Sequence, residues 1–254
     1  MKDIDYIKKL LDRMNSLELK CSSEYTLTNG NHSPRVTEIL SQMLHEEYLL
    51  SWANSLGFKH IGYRSYMNEA ANKGTYSHMA IERFLKNREF PDINKCAGLY
   101  PEKIASTVRS TFSGFMKWWE ELNKNHTVDI VCSEEKLVHP YFSGTCDCVL
   151  KIDDEYWLID FKTSNHMNYK YTLQLSAYGY LLKELKDITI SRYVVLMLDK
   201  VNYSYTDYVL DTHNKEHADY INLCLETFFT LTAAYKLRLE SEDEYKRIFN
   251  IKKR

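Results

Sequence analysis

The chain has 254 residues, of which 44% are hydrophobic and 27% are charged, and its formal net charge is −2. This length allows one large domain or two small ones with a substantial buried core. The charge balance excludes nucleic-acid binding through bulk positive charge, so any contact with DNA must use local patches or bound metal. No run reaches the roughly 18 apolar residues of a membrane-spanning helix. The N-terminus does not read as a targeting peptide, and we therefore expect an intracellular, cytoplasmic protein.

The N-terminal half is predicted to be mainly helical. A short amphipathic helix is expected at residues 3–14, and residues 17–27 read as an irregular strand region. In "SPRVTEILSQM" (33–43), Ser33 near the cap and Pro34 in the first turn indicate the start of another helix. Apolar spacing predicts further helices at 45–56, 64–87 and 101–123.

After residue 125 the hydrophobic period becomes that of strands. Three consecutive strands are predicted at 128–138, 141–152 and 155–164. A helix, two strands and a long helix follow at 170–186, 188–199, 204–210 and 213–240. This order predicts an α/β (α+β) fold in a single domain of residues 1–254. Its expected parts are a helical N-terminal region, a core and a charged tail, at about 33–125, about 126–240 and 241–254.

The stretch "YWLIDFKTSN" (156–165) places two opposite charges inside a predicted strand. Side chains alternate along a strand, so Asp160 and Lys162 share one face while Ile159 and Phe161 share the other. Such a pair is either a structural ion pair or half of a metal-dependent phosphodiesterase site.

A second aspartate lies one predicted hairpin away. An even-numbered turn centred on residues 153–154 places Asp147 opposite Asp160, with Cβ atoms roughly 4.5–5.5 Å apart. Both carboxylates are then expected on one face, with Cys146 and Cys148 on the other. Facing carboxylates repel each other, and a divalent cation such as Mg²⁺ between them makes the arrangement favourable. A three-residue loop would shift the pairing by one residue and separate the two acids.

Two predicted helices contribute further candidates. "GTYSHMAIERFL" places His78 and Glu82 four residues apart, on one helix face. "LQLSAYGYLL" does the same for Gln174 and Tyr178. Each has an ordinary structural interpretation, as a surface or core histidine and as the polar edge of an amphipathic helix.

Taken in order, these pieces resemble the motifs of RecB-like nucleases in the PD-(D/E)XK superfamily. Within that branch, the chain is similar to the mitochondrial genome maintenance exonuclease and related phage exonucleases. "SPRVTEIL" also resembles an element of this group, and the likeness covers roughly residues 33–180. The motifs are Gly74-Thr75-x-x-His78-x-x-x-Glu82, Gly144-Thr145-x-Asp147, Asp160-Phe161-Lys162-Thr163-Ser164 and Gln174-x-x-x-Tyr178.

The resemblance implies a restriction-endonuclease-like core, with a central mixed β-sheet flanked by helices. It implies that His78, Asp147, Asp160 and the Phe161 carbonyl hold one or two Mg²⁺ or Mn²⁺ ions. Asp147, Asp160 and Lys162 would be the catalytic residues. Lys162 would orient or activate the attacking water and offset charge in the transition state, as phosphodiester cleavage requires.

The resemblance also implies contacts with the substrate. Gln174 and Tyr178 would flank the scissile strand, and Thr163 or Ser164 would donate a hydrogen bond to a phosphate. An outer contact to the metal site is expected from Glu135 or its neighbour Glu134. Glu82 would either support His78 from outside the site or be an ordinary surface acid.

Some relatives carry a cysteine cluster after the Gln/Tyr motif for an iron–sulfur centre. Only Cys224 follows that motif here, and the six cysteines include no C-x-x-C pair, so we expect no such cluster.

The expected function is that of a metal-dependent DNA exonuclease acting on single-stranded DNA with a free end, in replication, recombination or repair. A recombination or replication protein is an expected partner. One alternative is a catalytically inactive, nuclease-like subunit for DNA binding or scaffolding. Another is a structure-specific endonuclease or double-strand exonuclease that works with a recombination partner.

Overall fold

The computed structural model describes residues 2–15, 25–27, 30–44, 48–88 and 102–250. These residues form seven helices and a five-stranded sheet, which confirms the expected mixed sheet with flanking helices and a helical N-terminal region. The helices are α1 (Lys2–Asn15), α2 (Val36–Met43), α3 (Tyr48–Phe58), α4 (Tyr63–Asn87), α5 (Glu102–Asn125), α6 (Tyr169–Lys186) and α7 (Lys215–Ile248). The strands are β1 (Val128–Leu137), β2 (Gly144–Ile152), β3 (Glu155–Lys162), β4 (Arg192–Leu198) and β5 (Tyr205–Asp211).

The sheet follows chain order, β1-β2-β3-β4-β5. Strands β1, β2 and β3 form an antiparallel meander, and β4 and β5 also pair antiparallel. Strands β3 and β4 are parallel, with helix α6 in the connection between them. Such a parallel crossover needs a long connection, and a helix supplies it.

The β2–β3 hairpin has the predicted register. Cys148 pairs with Ile159, and the ladder ends in a two-residue turn after Ile152, so the even-numbered turn is confirmed. Asp153 in this turn has a φ of 52°, which few residues other than glycine adopt readily. Its carboxylate stabilises the turn, because it accepts a hydrogen bond from the Thr127 amide at 3.1 Å and contacts His126 Nδ1 at 2.8 Å.

Two hydrophobic clusters cover the two faces of the sheet. On one face, helices α1, α2, α6 and α7 pack against side chains such as Val149, Leu158 and Val195. On the other face, helices α4 and α5 pack against side chains such as Leu150, Ile159 and Leu196. Alternate side chains of each strand therefore pack into one cluster or the other, as expected of a sheet with helices on both sides.

The predicted start of α2 was wrong. Helix α2 begins at Val36 rather than at Ser33, because residues 33–35 are extended and bond to a distant segment. Ser33 donates its hydroxyl to the His139 carbonyl at 2.6 Å, and the Val36 amide donates to the Ser143 carbonyl at 2.9 Å. The predicted strand region at 17–27 lies mostly outside the described residues.

The predicted charged tail at 241–254 is helical as far as Ile248, which ends α7. Ion pairs one turn apart line this end of the helix and favour helical backbone over a free tail. The pairs are Arg238–Glu242, Asp243–Lys246 and Glu244–Arg247. Among the described helices, none is both long and apolar enough to cross a membrane.

Helix α5 lies very close to the β4–β5 turn. A Cβ atom at Gly114 would lie 2.5 Å from the carbonyl oxygen of Ser204, a distance that real Cβ atoms do not reach. Ser110, one turn earlier, donates its hydroxyl to the Asp199 carbonyl at 2.9 Å and accepts a hydrogen bond from the Tyr203 amide at 2.9 Å. The helix and the turn therefore behave as one packed unit.

Gly114→Ala should destabilise the protein. In an unobstructed helix this change would stabilise by about 1 kcal/mol, because alanine is the better helix former. Here the added methyl group meets backbone, and we expect a net loss of about 1–3 kcal/mol in the free energy of unfolding. Urea denaturation measures this loss. Ser113→Ala is the matched control on the same helix and should change the value by less than about 0.5 kcal/mol. A Gly114→Ala protein as stable as the wild type would contradict the close packing.

Candidate functional site

Three potential metal ligands from three different elements meet beside the sheet. His78 on α4 places its Nδ1 atom 3.6 Å from Asp147 Oδ2 on β2 and 3.7 Å from Glu134 Oε1 on β1. One ligand atom from each residue lies within 4.8 Å of the other two. His78 and Glu134 are half-buried, and Asp147 is buried. The sequence predicted His78 and Asp147 as ligands, and the structure brings them together with Glu134.

Strand geometry is irregular at this cluster. Glu134 has a φ of 51°, in the left-handed region that non-glycine residues rarely occupy. It lies between two register pairs, Ser133–Cys148 and Glu135–Cys146, and so faces Asp147 across the ladder. The expectation that Cys146 and Cys148 share a face was wrong, because they pack into different hydrophobic clusters. Both strands therefore deviate from regular alternation where their two acids turn toward α4.

The Asp147 carboxylate is fixed by the neighbouring strand. Its Oδ2 atom accepts a hydrogen bond of 2.8 Å from the backbone amide of Phe161 on β3. The Phe161 ring is buried and contacts the rings of His78 and Phe115 edge-on, with centroids 6.0 and 5.7 Å apart. One residue thus positions both Asp147 and His78. The predicted role of the Phe161 carbonyl as a ligand stays a prediction.

Asp160 and Lys162 form an ion pair next to the three-residue cluster. Lys162 Nζ lies 2.6 Å from Asp160 Oδ2, and Gln174 Nε2 on α6 donates to Asp160 Oδ1 at 3.0 Å. The Lys162 ammonium also lies over the Tyr171 ring, 5.0 Å from its centroid. Asp160 is only 1% exposed, so its charge depends on these partners rather than on water. Asp160 is not part of the three-residue cluster.

The charges in the site shift one another's protonation. Burial alone would lower the pKa of His78, but Asp147 and Glu134 outweigh burial and raise it to about 10. Burial raises the pKa of Asp160 to about 6, against the opposite effect of Lys162. Burial alone would lower the pKa of Lys162, and the charges of Asp160 and Asp147 raise it above its usual value. The carboxylates therefore attract positive charge strongly, and Lys162 is held as an ammonium ion.

The donor set of the cluster fits a divalent cation. Two carboxylates supply the hard oxygen ligands that Mg²⁺ and Mn²⁺ prefer. The imidazole nitrogen of His78 suits Mn²⁺ better than Mg²⁺. His78, Glu134 and Asp147 would therefore hold such an ion, with Asp160 and Lys162 beside it. In the part of the chain that the structure describes, the four cysteines are free thiols.

The carboxylates of Glu82 and Glu135, which were expected to support the metal site from outside, bond to lysines instead. Glu135 points away from the cluster, because neighbouring residues of a strand face opposite sides of the sheet, and its carboxylate pairs with Lys186 at 2.6 Å. Glu82 lines the same cavity as His78 and Glu134, but its carboxylate bonds to Lys86 at 2.5 Å rather than to His78. Of the neighbouring acids Glu134 and Glu135, Glu134 is the one that lies beside His78 and Asp147.

The two side chains of α6 that were expected to contact substrate, Gln174 and Tyr178, are buried. Tyr178 is 3% exposed and packs against Gly144, where any Cβ would lie 2.7 Å from its ring. A ring enclosed in this way cannot stack on a base. Gln174 is buried and is bonded to Asp160, so it orients that carboxylate.

Thr163 and Ser164 are half-buried and line a groove next to the cluster. Ser164 accepts a hydrogen bond from the Tyr171 hydroxyl at 2.9 Å. The same groove contains Lys73 and Lys200, which the sequence motifs did not single out. Lys200 lies in the turn after the buried strand β4, and no sequence pattern there indicates that it lines a groove.

Comparison with known proteins identifies the family. A family model described as the PD-(D/E)XK nuclease superfamily matches residues 58–241, and the chain therefore belongs to this superfamily. Among solved structures, one described as "Crystal structure of SSO0001" aligns at 15% identity with a TM-score of 0.23, covering 53% of this chain and 71% of that chain. A search of curated proteins found no match. The superfamily predicted from the motifs is thus confirmed.

Asp147→Asn should remove the response of the protein to divalent cations. A ligand that binds only the folded state raises the melting temperature, so Mn²⁺ should stabilise the wild type, and more strongly than Mg²⁺ does. The amide is a weaker ligand, and the shift should largely disappear. Differential scanning fluorimetry with Mn²⁺, Mg²⁺ or EDTA measures the effect.

Glu82→Gln is the matched control for this experiment. Glu82 lines the same cavity but is bonded to Lys86, so its variant should keep the wild-type shift with Mn²⁺. An Asp147→Asn protein with an unchanged shift would contradict the assignment of the site.

Proposed function

We propose that the protein is a metal-dependent deoxyribonuclease, an exonuclease that degrades single-stranded DNA from a free end in replication, recombination or repair. Mg²⁺ or Mn²⁺ is the proposed cofactor, and a recombination or replication protein is the proposed partner. The motifs that resemble the RecB-like branch and the mitochondrial genome maintenance exonuclease support the finer assignment. We also propose that the helical N-terminal region and the core form one nuclease domain.

The meeting of a metal-ligand cluster with a half-buried lysine carries this proposal. His78, Glu134 and Asp147 lie together, and the Asp160–Lys162 ion pair lies on the next strand. All five residues fall inside the segment that matches the nuclease superfamily. Phosphodiester hydrolysis needs positive charge at the phosphate and a positioned water, and this set of side chains can supply both.

Each side chain has a defined part in the proposed chemistry. His78, Glu134 and Asp147 would hold a divalent cation, which would supply charge stabilisation at the scissile phosphate. Lys162, kept as an ammonium ion by Asp160 and packed over Tyr171, orients the attacking water and offsets the negative charge that develops on the phosphate. Gln174 holds Asp160 in place by a hydrogen bond, so the lysine keeps a constant position.

The arrangement around the site supports a single strand as substrate. Helix α4 brings His78 against β1 and β2 and so covers one side of the cluster. A covered site of this kind admits a flexible strand that is threaded from its end more readily than a stiff duplex. The net charge of −2 also disfavours a wide basic surface for duplex DNA.

Lys162→Ala should abolish cleavage while metal binding persists. The lysine acts on the water and the phosphate and is not a ligand of the cluster, so we expect a loss of at least about 100-fold in the cleavage rate. The Mn²⁺-dependent rise in melting temperature should remain. Lys183→Ala is the control, because Lys183 forms an exposed ion pair with Asp187 on the far end of α6.

The alternative is that Lys162 only neutralises Asp160. Its loss would then lower the stability of the protein and leave cleavage largely intact. Measuring the cleavage rate and the melting temperature on the same Lys162→Ala preparation separates the two readings.

Linear single-stranded DNA should be degraded, while a covalently closed single-stranded circle of the same sequence should survive. A threaded strand needs an end, and the circle has none. Gel analysis of end-labelled and circular oligonucleotides with Mg²⁺ or Mn²⁺ measures this, and the Lys162→Ala protein controls for contaminating nucleases. Rapid nicking of the circle would show an endonuclease. Intact DNA in every reaction, together with normal Mn²⁺ binding, would favour the inactive DNA-binding subunit.

A further inference from the structure

A groove next to the cluster lies between four structural elements. It is formed by α4, the start of α5, the segment after β3 and the β4–β5 turn, and its volume is about 630 Å³. The residues that matter here are Tyr66, Lys73, Thr163, Ser164, Lys200 and Val201. Ser164, Lys200 and Val201 also line an adjoining cavity of about 380 Å³, so the space continues past the turn.

The groove begins where the candidate active site ends. Thr163 directly follows Lys162 in the chain, and a Cβ at Gly74 would lie 3.6 Å from its hydroxyl. Gly74 lines the cavity that contains His78 and Glu134, while its neighbour Lys73 lines the groove. The ligand cluster and the groove thus lie on the two sides of the point where α4 crosses the end of β3.

The groove carries positive charge that is only partly neutralised. Lys73 Nζ bonds to Glu69 at 2.7 Å. Lys200 makes no ion pair with any of the described residues, although the charge of the neighbouring Asp199 partly offsets its own. The Asp199 carboxylate accepts hydrogen bonds of 2.7 Å from the amides of Val201 and Asn202. Burial and the charge of Lys73 lower the pKa of Lys200. Two ammonium groups share the groove with one carboxylate, and a phosphate there would relieve their repulsion.

Lys200 is presented on a rigid support. The turn that carries it is held to α5 by Ser110, which bonds to the backbone of Asp199 and Tyr203. Lys117 adds a hydrogen bond of 2.8 Å to the Tyr203 carbonyl. The backbone that carries Lys200 would therefore lose little conformational freedom when a phosphate binds.

Tyr66 gives the groove an exposed aromatic surface. The ring is 44% exposed and is steadied by an edge-on contact with Trp52, with centroids 5.4 Å apart. An aromatic side chain beside basic residues is the combination that grips single strands without regard to sequence. Tyr63 makes the same kind of contact with Trp52 at 5.7 Å and is 40% exposed, but it does not line the groove.

We propose that this groove binds single-stranded DNA next to the scissile bond, with Lys73 and Lys200 on a backbone phosphate and Tyr66 stacked on a base. Thr163 and Ser164 supply hydroxyl groups to the same stretch of backbone. The inference rests on the proposed function, since it names where the substrate strand lies relative to the cluster. It assigns stacking on a base to the exposed Tyr66 and not to the buried Tyr178.

Binding in EDTA tests the groove without cleavage. Fluorescence anisotropy with a labelled 12-nucleotide single-stranded DNA measures the dissociation constant for each variant over a range of salt concentrations. Lys200→Ala should weaken binding about tenfold and reduce the slope of log K against log salt by about 0.7, the value for one phosphate contact on a single strand. Lys200→Arg should restore binding, which excludes a folding defect.

Tyr66→Leu should weaken binding about fivefold or more through loss of stacking. Two matched controls, Lys124→Ala at the exposed far end of α5 and Tyr63→Leu on the same aromatic cluster, should stay within about twofold of the wild type.

Several outcomes would overturn the inference. These are a wild type that does not bind the oligonucleotide, groove variants that bind as well as their controls, and controls that lose as much as the groove variants. Tighter binding of a 12-nucleotide RNA or of duplex DNA would assign the groove to that ligand instead.

The proposal for the groove and the proposal of nuclease function can be refuted independently. Cleavage by the wild type with unaffected binding by Lys200→Ala and Tyr66→Leu would refute the groove alone. Weakened binding by both variants, without cleavage under any metal condition, would refute the nuclease function and leave the groove standing.

Discussion

Three carboxylates from three neighbouring strands crowd together at one poorly solvated place. Asp147 and Glu134 face each other across β1 and β2, and Asp160 lies on the next strand. Mutual repulsion of such groups would open the sheet unless positive charge is brought to them. The fold supplies it from two directions, with His78 on α4 and Lys162 on β3 itself. A divalent cation would displace the proton of His78, since a histidine ligand must be neutral, and would then take over its part of the neutralisation.

The packing around the site serves this arrangement. Helix α4 can present His78 only because α5 holds it in place through the Ser77–Thr111 hydroxyl contact at 2.8 Å and the rings around Phe84. Helix α5 is in turn fixed to the β4–β5 turn, where Gly114 allows backbone contact. The same contacts hold Lys200 in the groove. The backbone of Glu134 is strained, and strain of this kind persists where the surrounding structure determines a functional conformation.

The sequence predicted those parts of the site that follow from local rules. The two-residue turn between β2 and β3 determined the register of that hairpin. Helical spacing predicted that His78 lies on a helix face together with Glu82. The choice between Glu134 and Glu135 depended on the register of β1 against β2, which places Glu134 opposite Asp147 and shifts between Ile130 and Cys132. Such a shift cannot be inferred from the residues of β1 alone. The burial of Tyr178 depended on a neighbouring strand at Gly144, which helical spacing within α6 cannot reveal. Tertiary contacts decided each of these cases.

Glu134, rather than its neighbour Glu135, would complete a metal site with His78 and Asp147. Titration calorimetry with Mn²⁺ on the wild type, Glu134→Gln and Glu135→Gln can distinguish the two acids, since the two changes are chemically identical and one residue apart. Glu134→Gln should weaken Mn²⁺ binding by at least about tenfold, because one carboxylate ligand is lost. Glu135→Gln, which loses only the contact with Lys186, should bind as the wild type does. Equal weakening in both variants, or none in Glu134→Gln, would contradict the account.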